Sequence, residues 1–348
     1  MDDNDLLQAQ GMDALDPEAG LVVSSPQDKG QDAVATLLQS KVDRCYNESV
    51  GRMFDRAEGR EVPVALPWQS VNAALGGGLW AGLHILVAAS GVGKSQWSLQ
   101  ATESACVAGI PVLYIGLELD KMGLMARLLG LRANARWSDL YLGSDQMGLG
   151  RAHREHGGVI SSWPLYIEVS PPMGWHYEEL HSKIQALRTL HPEGPCLIVL
   201  DYLQLVAGNK YEDLRERIRQ ASYAARAAAR DHHASVILIS SVAREHYPYL
   251  TGQKRVNDLG PGEGNPARFL GVGKESGEIE YAADSVLVLC QDRFDDDNGG
   301  DPPALPRTVY LGVAKHRAGT TRWLPFQFDG SRFSEPNGGP TDYVRPNR

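Results

Sequence analysis

The sequence predicts an α/β fold in which a mainly parallel central sheet is covered by helices on both faces. Seven short apolar segments alternate with longer helical ones between residues 63 and 335, which is typical of parallel strands joined by helices. Several of the apolar segments are continuous, as strands buried on both faces are. A glycine-rich loop lies between the first strand and the first long helix, where such folds bind phosphate.

Each predicted element is a local segment with a clear pattern. The predicted strands are HILVAA (84–89), PVLYIGL (111–117), PLYIEVS (164–170), CLIVLDYLQL (196–205), SVILISS (235–241), SVLVLCQ (285–291) and VYLGVAK (309–315). The predicted helices include residues 95–109, 178–191 and 214–233. Two loops rich in Gly, Pro and Asp, 248–277 and 292–306, are long enough to indicate a functional or a disordered segment.

The regions outside the α/β domain differ from it in composition. Residues 1–40 are predicted to be an acidic, disordered tail, because seven acidic residues precede the first basic one, Lys29. Residues 41–62 are predicted to be a linker with an amphipathic segment, which packs either on a neighbouring molecule or on its own domain. Residues 63–335 form the predicted nucleotide-binding domain, and residues 336–348 a C-terminal tail.

Composition and charge exclude several classes of protein. A net charge of −9 argues against a globally basic DNA-coating protein, although it permits a local basic strip. No apolar stretch is long enough for a membrane span, and the N-terminus lacks the pattern of a secretory signal. Four widely spaced cysteines without a CxxC pair argue against a disulfide scaffold and a zinc ribbon. We therefore expect a cytoplasmic protein without a membrane partner.

The segment AASGVGKS (88–95) has the pattern and the context of a phosphate-binding loop. Gly91 and Gly93 allow backbone N–H groups to turn towards phosphate oxygens, and the following helix N-terminus adds partial positive charge. Lys94 is expected to reach the β- and γ-phosphates and Ser95 to hold Mg²⁺. Ala88 occupies the position at which the usual phosphate-loop pattern has its first glycine. We predict that ATP and Mg²⁺ bind at Ser90, Gly91, Val92, Gly93, Lys94, Ser95 and Gln96.

Two carboxylates follow predicted strands and complete a hydrolytic pattern. Asp201, at the end of CLIVLD, is expected to organise the metal ion, and an ordinary turn-capping aspartate is the alternative. Glu118 ends the strand after the phosphate loop and is expected to activate water as a general base, with a surface glutamate as the alternative. Water as the nucleophile predicts nucleotide hydrolysis.

Over residues 63–335 the chain resembles the RecA-like ATPase domain of the DnaB-type replicative helicases. The resemblance rests on the lead-in PWQSVNAALGGGLWAGLHILVAASGVGKS and on GLELDKMGLMARLLGL (116–131), which carries Glu118 and a following Arg127. It also rests on LIVLDYLQLV (197–206), ESGEIEYAADSVLVLCQD (275–292), AKHRAG (314–319) and FQFDGSRF (326–333). It implies a RecA-like P-loop fold and a homo-oligomeric ring, expected to be a hexamer, that translocates on single-stranded DNA in replication.

The resemblance also implies roles for basic residues. Lys315 and Arg317 match the residues that reach into the ATP site of a neighbouring subunit, and a solvated basic strand end is the alternative. Loops after the strands ending near Leu205 and Ser241 are expected to line a DNA pore. The basic residues there are equally compatible with a solvated surface. The DNA-binding candidates are Arg244, Lys254, Arg255 and Lys274, and a replication initiator or loader is an expected protein partner.

Two departures from the family pattern leave a second hypothesis open. Ser241 stands where the family has a glutamine that senses γ-phosphate, and the first 60 residues are too short to form the family's N-terminal collar, so we expect the motor part alone. The alternative is an ATP-switched assembly factor of the RecA, RadA and KaiC superfamily, with slow hydrolysis and no unwinding. A small-molecule kinase fits only the phosphate loop, because an arginine-rich lid segment is not evident.

Overall fold

The computed structural model describes seven segments of the chain, which divides into two compact units, Met1–Glu61 and Val62–Arg348. Residues 1–36 and 337–348 lie outside the described segments, so the predicted natures of both tails remain predictions. Within the described part of the chain, no helix is both long and apolar enough to cross a bilayer. The described segments are residues 37–169, 174–207, 213–242, 244–251, 262–270, 277–291 and 305–336.

The described part of the first unit is dominated by helix α1, Val42–Ala57. No residue of this helix is buried, and its exposed apolar side chains include Tyr46, Met53 and Phe54. Beyond the helix, Glu61 accepts a 2.7 Å hydrogen bond from Arg52 Nη2, which ties the end of the unit back to the helix. The described part of this unit therefore exposes several large apolar side chains.

The second unit contains a nine-stranded sheet with the order β3-β2-β4-β5-β1-β6-β7-β8-β9. Strands β1 to β6 pair in parallel, and β7, β8 and β9 extend the sheet with antiparallel pairs. The predicted mainly parallel α/β fold is therefore confirmed. The strands are β1 Gly82–Ala88, β2 Val112–Gly116, β3 Leu165–Val169, β4 Leu197–Asp201, β5 Ser235–Ser241, β6 Ser285–Gln291, β7 Arg307–His316, β8 Arg322–Phe328 and β9 Phe333–Ser334.

Helices cover this sheet, and the central parallel strands are buried along their whole length. Burial on both faces explains why these strands are continuous apolar runs in the sequence. The helices are α2 Gln69–Ala74, α3 Lys94–Val107, α4 Lys121–Ala133, α5 Trp137–Leu142, α6 Gln146–Ser161, α7 Glu179–Leu190, α8 Leu214–Asp231, α9 Tyr247–Leu250 and α10 Gly277–Ala282.

The register of the parallel strands brings their carboxyl ends together. Ala88, the last residue of β1, lies opposite Ser241 on β5 and Leu289 on β6. Gly116, the last residue of β2, lies opposite Asp201, the last residue of β4. Side chains that follow these strands therefore converge at one edge of the sheet, where ligands bind in open α/β folds.

Helices α4 to α6 and strands β8 and β9 are elements that the sequence patterns do not identify. Asp120 and Asp145 begin α4 and α6 by accepting hydrogen bonds from the backbone N–H groups of Gly123 and Gly148. Glycine inside a helix lowers its intrinsic propensity, so the caps and tertiary packing determine these helices. Strand β8 alternates exposed and buried residues and contains Pro325, which suits a strand near the sheet edge.

An aromatic cluster joins the start of the second unit to its last strands. Trp68, which is fully buried, stacks on Trp97 of α3 with ring centroids 4.9 Å apart and contacts Phe326 and Phe333 edge to face. Its indole Nε1 donates a 3.0 Å hydrogen bond to the Phe333 carbonyl. This cluster packs the helix that follows the phosphate loop against β8 and β9.

Replacing Trp68 with alanine is expected to destabilise the second unit by about 3–5 kcal/mol, because it leaves a cavity and removes the Nε1 hydrogen bond. Urea denaturation followed by circular dichroism measures the loss. Met147→Ala, at a side chain that is 87% exposed, is the control and should change stability by less than about 0.5 kcal/mol. Equal effects of the two substitutions would contradict the role assigned to the aromatic cluster.

Candidate nucleotide-binding site

The phosphate loop turns at two glycines with positive φ angles, 80° at Gly91 and 108° at Gly93. A Cβ atom at Gly93 would lie 2.7 Å from Phe333 Cζ and 3.1 Å from Phe328 Cζ, whereas the space around Gly91 is open. A glycine is therefore required at position 93, both because of the positive φ angle and because the aromatic rings leave no room for a Cβ atom. Helix α3 begins at the next residue, so its free N–H groups and positive dipole end face the loop.

The loop opens into a cleft of about 450 Å³. Six of the seven predicted loop residues line it, and the exception is Val92, whose side chain is buried in the core. Val92 can therefore contribute only its backbone to a ligand. The lining residues are Ser90, Gly91, Gly93, Lys94, Ser95, Gln96, Glu118, Leu119, Arg127, Trp137, Leu305, Arg307, Phe328 and Gly330.

Lys94 and Glu118 meet in this cleft, as expected of residues acting on one ligand. Lys94 Nζ lies 3.7 Å from Glu118 Oε2 and 5.1 Å from the centre of the Tyr202 ring. The Lys94 side chain is mostly buried, while that of Glu118 is 45% exposed and open to solvent. A carboxylate beside the lysine that is predicted to bind phosphate, and accessible to water, has the geometry of a general base.

Asp201 lies behind the loop and is 99% buried. Tyr114 on β2 donates a 2.8 Å hydrogen bond to Asp201 Oδ2, whereas Oδ1 is buried and has no hydrogen-bond partner among the described residues. Burial raises the pKa of Asp201, and the neighbouring hydroxyl groups of Ser95 and Tyr114 oppose that shift. The carboxylate oxygen without a partner and the nearby Ser95 hydroxyl are oxygen ligands of the kind that Mg²⁺ prefers. These residues therefore fit the expected metal ion.

Two arginines also line the cleft. Arg127, noted in the resemblance, lies 3.6 Å above the Trp137 ring, and Arg307 donates a hydrogen bond to the Gly91 carbonyl and lies 5.5 Å from the Phe328 ring. Burial lowers the pKa of both guanidinium groups. Arg307 has no sequence signal, because it is brought to the loop by β7, a strand that lies far from the loop along the chain.

Lys315 and Arg317 lie at the amino ends of the parallel strands, whereas the phosphate loop lies at their carboxyl ends. Arg317 Nε is 3.3 Å from Asp284 Oδ1, and the Asp284 backbone N–H bonds to the carbonyl of Leu83 at the start of β1. The loop follows the end of β1, about 17 Å further along the strand. Lys315 Nζ bonds to the Glu280 carbonyl, and burial lowers its pKa. Neither residue is brought to the nucleotide cleft of its own chain.

Ser241 ends β5 beside the phosphate-loop strand, and the side chain of Gln204 is bound to it. Gln204 Oε1 accepts a 3.0 Å hydrogen bond from the Ser241 backbone N–H, and its Nε2 donates to Ser240 Oγ at 2.9 Å. Of the predicted DNA-binding residues, Arg244 begins a short 3-10 turn, Arg244–His246. Lys254, Arg255 and Lys274 lie outside the described residues, so the predicted DNA interface remains a prediction.

Known proteins resemble this chain over most of the second unit. The family model "DnaB-like helicase C terminal domain" matches residues 65–335. A probable replicative DNA helicase of Trieres chinensis is 26% identical over 256 residues, which cover 72% of this chain and 51% of that protein. The replicative DNA helicase DnaB of Mycobacterium intracellulare is 30% identical over 226 residues, which cover 63% of this chain and 34% of that protein.

Solved structures agree with this relationship at the level of the fold. One solved structure, of an ATPase domain, superposes with a TM-score of 0.67 at 18% identity, covering 83% of this chain and 98% of that one. A DnaB-like replicative helicase, described with its interactions with primase, superposes with a TM-score of 0.65 at 20% identity, covering 88% and 71%. The chain spans between a third and about half of the length of the first curated relatives. Because the family model covers most of its length, the chain belongs to the family of DnaB-like helicase C-terminal domains.

Proposed function

We propose that this protein is an ATP-driven motor that hydrolyses ATP and moves along single-stranded DNA. The observation that carries the proposal is the convergence of Lys94, Ser95, Glu118 and Asp201 at the carboxyl ends of the parallel strands β1, β2 and β4. The names of the related proteins, which are replicative DNA helicases, support DNA as the track and replication as the process.

In the proposed reaction each group of the cleft has one task. The α3 N-terminus and Lys94 bind the phosphates and neutralise charge that develops on the γ-phosphate. Glu118 orients a water molecule and accepts its proton. Ser95 and Asp201 would hold Mg²⁺, which when bound offsets phosphate charge, and Tyr114 fixes the orientation of the Asp201 carboxylate. Arg127 adds a further cation at the rim of the cleft.

The proposed motor is a homo-oligomeric ring, with six subunits by analogy with the family. Lys315 and Arg317 lie too far from their own cleft, so we propose that they complete the ATP site of the next subunit. The exposed apolar side chains of α1 support the proposal that residues 41–62 pack on a neighbouring molecule. Basic loop residues including Arg244 would contact DNA, and an initiator or loader protein would place the ring on it.

A second candidate function is an ATP-switched assembly factor that hydrolyses slowly and does not unwind DNA. The observation that favours it is Ser241, because a serine in place of the γ-phosphate-sensing glutamine shortens the connection between the nucleotide and the DNA loops. Both functions need the same nucleotide cleft. They differ in whether DNA accelerates turnover.

Glu118→Gln is expected to retain ATP binding and to lower turnover by about 100-fold or more, because the amide cannot accept the proton of water. Fluorescent nucleotide binding and phosphate release measure the two properties separately. Lys94→Ala serves as the comparison and should lose nucleotide binding itself. Loss of binding in Glu118→Gln would assign Glu118 a structural role, and normal turnover in Lys94→Ala would refute the phosphate-loop assignment.

Arg317→Ala is expected to lower turnover by about 1,000-fold in a uniform assembly, as the loss of an arginine finger does. Mixed with Lys94→Ala subunits, it should regain activity, because some interfaces then combine an intact phosphate loop with an intact Arg317. Phosphate release across a series of mixing ratios detects the recovery. Absence of recovery at every ratio would count against action in trans.

A further inference from the structure

Asp284 connects the proposed finger residue Arg317 to the strand that carries the phosphate loop. It directly precedes β6, and its Oδ2 accepts a 2.9 Å hydrogen bond from the Leu83 backbone N–H. Its own backbone N–H donates to the Leu83 carbonyl at 2.7 Å. A Cβ atom at Gly82 would lie 2.6 Å from Asp284 Oδ2, so the glycine there leaves room for the carboxylate. One carboxylate oxygen is thus fixed on the start of β1.

The second carboxylate oxygen faces Arg317. Asp284 Oδ1 lies 3.3 Å from Arg317 Nε, and the Arg317 backbone N–H donates to the Asp284 carbonyl at 3.0 Å. Among the described residues, Arg317 Nη2 makes one long contact, at 3.5 Å from the Tyr281 carbonyl. The guanidinium is therefore held from its Nε side, while 45% of the side chain is exposed and its terminal nitrogens can engage a further anion.

The other titratable groups around Asp284 do not compete for its charge at neutral pH. Burial lowers the pKa of His84 and of His316, which keeps both imidazoles neutral. Lys315 is bound separately, through the Glu280 carbonyl. Arg317 is thus the cation that the Asp284 carboxylate orients directly.

We infer that Asp284 is a positioning residue for Arg317, which it aims at the γ-phosphate bound by the neighbouring subunit. The inference rests on the proposed function, in which Arg317 acts in trans. A finger contributes only when its guanidinium is correctly placed, and a displacement of about 1 Å can cost about 100-fold in rate. A carboxylate anchored on β1 at one oxygen and paired with Nε at the other supplies that placement.

Asp284→Asn separates this role from a structural one. The amide oxygen can still accept the Leu83 N–H bond, whereas the amide nitrogen replaces the charged oxygen that faces Arg317. We expect kcat in a uniform assembly to fall on the order of 10- to 100-fold, with nucleotide binding unchanged. Mixed with Lys94→Ala subunits, Asp284→Asn should recover turnover, because its phosphate loop is intact and the partner contributes an intact Arg317.

Two controls make each outcome decisive. Glu168→Gln removes a carboxylate of similar exposure that pairs with Lys183 at 2.7 Å on the edge strand β3, and it should leave kcat unchanged. The mixture of Arg317→Ala with Lys94→Ala is measured in parallel. If that mixture recovers and the Asp284→Asn mixture does not, Asp284 supports only its own β1 and the inference is wrong.

The remaining outcomes are equally informative. Wild-type kcat in Asp284→Asn would also overturn the inference, because the charge on the carboxylate would then be irrelevant to Arg317. Failure of the Arg317→Ala mixture would reject action in trans itself, and the inference about Asp284 would fall with the proposed function. Weaker nucleotide binding in Asp284→Asn, without recovery in mixtures, would identify damage to the phosphate-loop strand.

Discussion

The backbone has to turn at Gly93 between a buried strand and a helix without carrying a side chain, and the nucleotide cleft is built around that turn. Phe328 and Phe333 stack 4.3 Å apart and fill the space where a Cβ atom would lie. The backbone of Phe333 is fixed in turn by two side chains. Trp68 Nε1 and Gln100 Nε2 donate to its carbonyl, and its N–H donates to Gln100 Oε1. The last strands of the domain thus support the phosphate loop, although they lie far from it along the chain.

The direction of the strands divides the polar groups of the domain between two edges of the sheet. At the carboxyl edge, Lys94, Glu118 and Asp201 surround one cleft. Strand β7 is antiparallel to β6. It begins at Arg307, beside the phosphate loop, and ends near the amino ends of the parallel strands, where Arg317 follows it. Under the proposed function, one chain therefore carries one half of each of two ATP sites, and hydrolysis depends on assembly.

Local sequence patterns predict the buried strands well, because continuous apolar runs can be recognised in the sequence without knowing which strands pair. β5 and β6 have the predicted bounds, and β4 is shorter because a 3-10 turn follows Asp201. The phosphate loop can also be predicted, because its pattern lies within one short segment, residues 88–95. Arg307 and Asp284 depend instead on strand pairing between distant segments, which no spacing in a single sequence encodes. Helices α4 and α6 depend on caps and packing that offset their glycines.

The measurement that tests the account most directly is ATP turnover by the purified protein with and without single-stranded DNA, at low and at moderate salt. A DNA motor predicts turnover that rises several-fold with DNA, with an effect that weakens as salt screens phosphate contacts. Measurable turnover that is indifferent to DNA at both salt concentrations would contradict the motor and favour the ATP-switched assembly factor.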